Sequence, residues 1–394
     1  MDIKYAKRMS TLKASEIREI LKVTEKPEMI SFAGGLPAPE LFPAKEIIEV
    51  NRIVLEESAQ TALQYTTTEG FAPLRQWIAD RMNTQQGTAF DKDDILITHG
   101  SQQALDLSGK VFFDEGDVVL CESPTYLAAI TAFRAYGVEF ISVPTDDHGM
   151  IMDELQKILT KTKNVKAIYV IPNFQNPTGR TWCLERRQTL AKLSAQFNTV
   201  VIEDNPYGEL RFEGEFLPSV KSFDVTGNVL CMGTFSKIFC PGYRIGWIAG
   251  DRDIIRKYVL VKQGADLQCN TLAQMQIAKY LALYDIDAHI EKIRTVYKKR
   301  RDLMVKSAEQ QFPEGITLTR PEGGLFAWVE LPQKINARDV LEKSLKENVA
   351  FVPGGSFFPN GGMENTFRLN FSNMPEEKIV EGIRRLGHVL WTFM

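Results

Sequence analysis

The chain has 394 residues, 44% of them apolar and 25% charged, with a net charge of −3. That is the composition of an ordinary globular protein long enough for two domains, and the acidic balance argues against a nucleic-acid surface. Five widely spaced cysteines without a C-x-x-C pair, four scattered histidines, no long apolar run and no apolar stretch after Met1–Tyr5 predict no disulfide framework, metal site, membrane span or secretory leader. A reducing cytoplasm is the expected compartment.

Residues Ser15 to Lys22 predict a short amphipathic helix, with Ile17, Ile20 and Leu21 on one face. Gly34 to Pro39 is a loop with two glycines and two prolines. Helical patterns follow at 44–59 and 71–83. From about residue 95 the rhythm becomes strand, helix, strand. Apolar β-rich runs lie at Ile95–Thr98, Val118–Cys121, Phe140–Val143, Ala167–Ile171, Val200–Glu203, Val229–Met232 and Ile245–Ala249. Helical segments at Gln102–Phe112, Tyr126–Tyr136 and Leu184–Phe197 separate several of them. This alternation predicts an α/β domain with a mainly parallel, seven-stranded sheet. Residues 252–311 read as long helices. The remainder mixes strands (Leu325–Leu331, Phe367–Phe371) with helices (Ala337–Glu347, Glu376–Trp391), which predicts a smaller α+β domain. The expected division is an N-terminal arm over 1–42, a large domain over 43–285 and a small domain over 286–394.

Chemistry-bearing residues fall at the ends of these strands. Thr234-Phe235-Ser236-Lys237 follows Val229–Met232. A lysine ending a buried strand is partly desolvated, so its amine can be free at neutral pH and attack a carbonyl. Thr234, Ser236 and Arg244 together suit a phosphate. An amine nucleophile beside a phosphate site is what pyridoxal phosphate needs. Ser101 and Gln102 open a helix whose free N–H groups favour an anion, or are simply capped. Tyr126 could stack on a flat ring or sit at the core's rim. The turn at Asn176-Pro177-Thr178-Gly179 would present Asn176 rigidly, toward a phenolate oxygen if it is more than a plain turn. Asp204 could pair with a pyridinium N–H, making the ring an electron sink, or cap a helix. Tyr207 could bond the ring oxygen. Arg368, inside the alternating run Thr366–Phe371, needs a partner if it points inward: a substrate carboxylate or a structural acid.

With these residues in place, the chain resembles the fold-type I pyridoxal-phosphate enzymes, and within them the class I aminotransferases. Gly100-Ser101-Gln102, Asn176-Pro177-Thr178-Gly179, Asp204-x-x-Tyr207, Ser236-Lys237 and Arg244 carry the likeness. It runs from about residue 10 to the C-terminus. Phe32–Pro37, Gln64-Tyr65, Gly70–Arg75, Gly100–Leu105, Lys262–Asp266 and Phe351–Gly355 resemble the branch holding 2-aminoadipate and kynurenine aminotransferases. Thr234 stands where serine is common, and its hydroxyl is retained.

The resemblance implies a role for each position. Lys237 would bond the cofactor covalently and then shuttle the substrate's α-proton. Ser101, Gln102, Thr234, Ser236 and Arg244 would hold the phosphate. Tyr126 would stack on the ring, Asn176 and Tyr207 would bond its phenolate oxygen, and Asp204 its nitrogen. Tyr65 would reach the phosphate of the other subunit in a homodimer with shared sites. Arg368 and Gly35 would receive the substrate α-carboxylate, with Asn176 beside them. Ser15 and Arg18, on the N-terminal helix, would contact a distal carboxylate. The implied activity is ping-pong transfer of an amino group from 2-aminoadipate, glutamate, aromatic or branched amino acids to a 2-oxo acid such as 2-oxoglutarate. β-Elimination or decarboxylation would use similar residues. A cofactor-sensing DNA-binding regulator would need an extra N-terminal module, for which Gly34 comes early. A Ser236–Lys237 hydrolase dyad would leave Asn176, Asp204, Tyr207 and Arg244 unexplained, and lacks the G-x-S-x-G elbow.

Overall fold

The computed structural model describes residues 3–10, 26 and 28–394. The strands, in chain order, are β1 (Ile30–Ser31), β2 (Ile95–Thr98), β3 (Val118–Ser123), β4 (Glu139–Asp146), β5 (Gly149–Met150), β6 (Val165–Val170), β7 (Val200–Asp204), β8 (Val229–Thr234), β9 (Gly246–Ala249), β10 (Thr317–Leu318), β11 (Phe326–Glu330), β12 (Val349–Ala350), β13 (Val352–Pro353) and β14 (Thr366–Asn370). The main sheet has the order β2-β9-β8-β7-β6-β3-β4-β5. Strands β4, β3, β6, β7 and β8 run parallel to their neighbours, while β9 is antiparallel to both β8 and β2. The sheet thus has eight strands rather than the expected seven. The extra one, β5, is a two-residue edge strand antiparallel to the end of β4, too short to show a period in sequence.

The central strands are continuous apolar runs because both faces are covered. Alternate residues serve opposite layers. Val119, Cys121, Ala167, Tyr169, Ile202, Leu230 and Met232 face the helices Gly100–Phe112, Leu127–Arg134 and Arg252–Gln263. Val118, Leu120, Ile168, Val170, Val201 and Val229 face the helices Met152–Lys161 and Leu184–Phe197. The helix Met152–Lys161 is absent from the predicted elements; it is short and buries only Leu155 and Leu159 fully. The long helices after 252 resolve into Arg252–Gln263, Thr271–Leu283 and Ile286–Gln311. Their N-caps Asp251, Asn270 and Asp285 each accept a backbone N–H.

A second sheet, ordered β10-β11-β14-β13, is antiparallel throughout. The segment β1 pairs in parallel with β12, so residues 30–31 are tied to the C-terminal part of the chain. One apolar cluster joins Ile30 and Phe32 to Phe367, Leu369 and Phe371, and also reaches Tyr207 and Phe235. No helix among the described residues is long and apolar enough to cross a membrane.

Candidate active site

The strands β2, β3, β6, β7 and β8 all point the same way, so their C-terminal ends open on one crevice, where a doubly wound sheet binds ligands. The loops leaving those ends carry Ser101, Tyr126, Asn176, Asp204 with Tyr207, and Ser236 with Lys237. Strand β14 brings Arg368 to them from the second sheet.

Lys237 is half-buried, and its Nζ donates to the Gly35 carbonyl at 2.8 Å. Burial, then the cations Arg368 and Arg244, pull its pKa down to about 8. A useful fraction of the amine is therefore free near neutrality. Arg368 is almost fully buried. Its Nη1 donates to Asn176 Oδ1 at 2.8 Å and its Nη2 to the Ala33 carbonyl at 2.6 Å. The guanidinium lies 4.1 Å from the Phe326 ring centre and 5.1 Å from that of Phe357. Burial pulls its pKa to about 10, so it stays cationic at neutral pH. Among the described residues its Nε has no partner and no carboxylate pairs with it. A cation kept this dry against two rings, with a donor to spare, can receive a carboxylate from a ligand.

Asn176 Nδ2 also faces the Tyr207 hydroxyl at 3.4 Å. Tyr207 is buried, edge-on to Phe326 with ring centres 5.8 Å apart, and burial raises its phenol pKa well above the ordinary value. Asn176 and Tyr207 can therefore both donate to one oxyanion. Asp204, 1% exposed, accepts the Tyr169 hydroxyl on Oδ2 at 2.8 Å, while Oδ1 has no partner. Burial pushes its carboxyl up to about 6. The free oxygen can accept a ring N–H.

The anion cradle stands at the N-terminus of Gly100–Phe112. Gly100 adopts φ +67°, and a Cβ there would lie 2.7 Å from Arg244 Nη2, so only glycine lets the guanidinium cover this helix end. Arg244 is exposed, donates to the carbonyls of Pro241 at 3.2 Å and His99 at 3.4 Å, and has no acidic partner among the described residues. Ser101 Oγ is buried and unpartnered. Thr234 Oγ1 lies 2.9 Å from Ser236 Oγ. Gln102 is exposed on the same turn. The half-buried Tyr126 ends the loop after β3 and packs against the apolar layer beneath. The orphaned Asp204 Oδ1 and Ser101 Oγ, Arg244 without an acidic partner among the described residues, and the depressed lysine together fit pyridoxal phosphate, which needs an acid at its nitrogen, an anion cradle and an amine.

One predicted residue among those described is not brought into this cluster. Tyr65 is 78% exposed, and its hydroxyl bonds none of the others. Ser15 and Arg18, with their helix, lie outside the described residues. Other participants were missed in the sequence. Tyr169 sits in an apolar strand and has no local signal. Phe326 and Phe357 read simply as core. Gln103, Lys262, Asp266 and His99 form a brace under the cradle: Asp266 accepts from buried Lys262 at 2.7 and 2.9 Å and from Gln103 at 2.5 Å, and faces His99 Nδ1 at 2.8 Å. His99, Asp266 and Cys269 hold ligand atoms within 4.8 Å, but the ammonium of Lys262 already satisfies Asp266, so the group serves as a hydrogen-bonded support.

The sequence matches the family Aminotransferase class I and II over residues 28–386, and the chain belongs to that family. It is similar to the aromatic-amino-acid aminotransferase 1 of Thermococcus litoralis, 48% identical over 98% of this chain and 94% of that one. It is 42% identical to the 2-aminoadipate transaminase of Thermus thermophilus, over 98% of this chain and 96% of that one. A crystal structure of the Pyrococcus horikoshii kynurenine aminotransferase in complex with PMP superposes with a TM-score of 0.95 at 43% identity, covering 99% and 97% of the two chains. The protein is thus a pyridoxal-phosphate-dependent transaminase of fold type I, acting on amino acids and 2-oxo acids.

Proposed function

We propose that the protein transfers the amino group of aromatic amino acids, 2-aminoadipate and glutamate to 2-oxo acids such as 2-oxoglutarate, by ping-pong kinetics, as a cytoplasmic homodimer. The observation that carries the substrate reading is Arg368: buried, cationic, without an acidic partner among the described residues, and joined through Asn176 to Tyr207. Its free Nε fits an α-carboxylate beside the Gly35 carbonyl and Lys237. The aromatic walls, Phe326 and Phe357, and the names of the relatives support both aromatic and dicarboxylic donors.

Bound pyridoxal phosphate supplies an electron sink for the charge left when the substrate's α-proton departs. In this reading Lys237 would hold the cofactor covalently at rest and later move that α-proton on Nζ. Asp204 Oδ1 would keep the ring nitrogen protonated. Asn176 and Tyr207 would donate to the phenolate oxygen, and Tyr126 would cover the ring face. Ser101, Gln102, Thr234, Ser236 and Arg244 would bind the phosphate. Tyr65, exposed in a single chain, would serve the phosphate of a partner subunit. The working division is an arm over 1–42, a large domain over 43–285 and a small one over 286–394.

A panel of amino acids assayed with 2-oxoglutarate tests the proposal. Aromatic and dicarboxylic donors are expected to turn over with parallel double-reciprocal plots, and Lys237→Ala to abolish turnover. Release of free ammonia or carbon dioxide, without amination of the 2-oxoglutarate acceptor, would overturn it.

A further inference from the structure

We infer that Tyr169 is a positioning residue for the cofactor: its phenol locks the Asp204 carboxylate so that the second oxygen meets the ring nitrogen in its ionised form. This rests on the role of Asp204 proposed above. Tyr169 is fully buried in β6, with its hydroxyl 2.8 Å from Asp204 Oδ2. The register brings them together, since Tyr169 pairs with Ile202 and Asp204 lies two residues further on, on the same face. The tyrosine ring cannot swing away. It sits edge-on to Phe133, with centres 5.8 Å apart and planes at 85°, in a layer with Phe113, Ala167 and Ile171.

This hydroxyl is the hydrogen-bond donor that meets the Asp204 carboxylate, on Oδ2. The titratable groups facing the pair from surrounding elements are Tyr207, Tyr126 and Glu122. None of them is a cation. Burial therefore works against the carboxylate, and the Tyr169 hydrogen bond is the contribution that opposes it. Without that bond the carboxyl would take up a proton nearer neutrality, turn freely about χ2 and lose its acceptor toward the ring.

Tyr169→Phe removes one hydroxyl and keeps the packing. The probe is pyridoxamine phosphate, which has the cofactor's ring and phosphate but forms no covalent bond with Lys237. Its dissociation constant is measured by equilibrium dialysis across pH on apoprotein. In the wild type, affinity should fall as pH drops through about 6, the carboxyl's own midpoint. In Tyr169→Phe that midpoint should rise by about one unit, giving roughly tenfold weaker binding at the lower pH and almost none of that loss at high pH. An unmoved midpoint overturns the inference, as does a loss equal at every pH, which a merely structural role would produce. Asp204→Asn separates the two readings. If it leaves pyridoxamine phosphate binding intact, the role of Asp204 itself is wrong. If it weakens binding, adding Tyr169→Phe should cost nothing further, and an additive loss counts against coupling. Should Tyr169→Phe fail to unfold cooperatively, 3-fluorotyrosine at 169 retains the hydroxyl and makes it a stronger donor. The midpoint should then move down, and no movement refutes the idea.

Discussion

The ammonium of Lys237 and the carbonyl oxygen of Gly35, 202 positions apart in sequence, lie 2.8 Å from each other. The Lys237 amine is thereby tethered to the loop at residues 34–39, near the guanidinium of Arg368. A dry setting, then two neighbouring cations, give this lysine its lowered pKa, and pH dependence follows directly.

Covalent loading with pyridoxal phosphate needs the neutral amine. A lysine depressed to about 8 is neutral above that value and protonated below it. The loading rate, followed by the visible band in stopped-flow mixing, should rise with pH through a midpoint near 8 and level off above it. A midpoint above 10, where an ordinary lysine titrates, would contradict the burial argument. Arg368→Met removes one cation and should move the midpoint upward.

Arg368 makes a second case. Arg368→Ala should lower kcat/KM for amino acids by about 10- to 100-fold, the worth of a charged hydrogen-bonded pair. An amine donor without an α-carboxylate separates this loss from disturbance of Asn176 and Ala33, and should show a much smaller drop. Arg368→Lys should recover only part of the activity, because an ammonium cannot make the two-pronged contact. Equal losses on both donors would sink the carboxylate assignment.

Gly100→Ala places a methyl 2.7 Å from Arg244 Nη2 in a left-handed backbone position. The guanidinium must retreat from the helix end, and the backbone strain adds about 1 kcal/mol. Weaker phosphate binding is expected: cofactor retention in dialysis should fall about tenfold or more, with a small loss in thermal midpoint. Unchanged retention would show that the cradle does not depend on Arg244.

Glu122 is buried beneath the Asn176 loop, accepting from Ile171 N and Trp182 Nε1 at 2.8 Å each. Burial pushes its carboxyl up to about 8. Its folded pKa lies above the unfolded one, so the folded state favours the protonated acid. The contribution is full below the unfolded value of about 4.5 and is lost as pH rises toward 8. Glu122→Gln does not titrate. Whatever constant offset the amide brings, the difference in unfolding midpoint should drift in the variant's favour between these pH values. A flat difference would mean that the carboxyl is ionised throughout.

Much of the site was legible because its residues are local to strand ends. Asn176 in its Pro-rich turn, Asp204 three residues before Tyr207, and Ser236-Lys237 after an apolar run each announce themselves within a few positions. The crevice then gathers them because parallel strands end at one edge. The strands β1, β5, β10, β12 and β13 were not legible. At two residues each, they exist only through their partners.

The sequence alone determined the strand and helix periods, the position of each polar group at a strand end, and the glycines and prolines that shape the turns, because these depend on neighbours along the chain. Tertiary structure decided which groups meet. The register of β6 on β7 sets Tyr169 against Asp204, the second sheet carries Arg368 onto Asn176 and Phe326, and the loop at residues 34–39 brings Gly35 to Lys237. Burial first, then nearby cations for Lys237, shift the pKa values of Lys237 and Asp204, with the Tyr169 bond holding that of Asp204 down, since desolvation and nearby charge act through space and not along the chain.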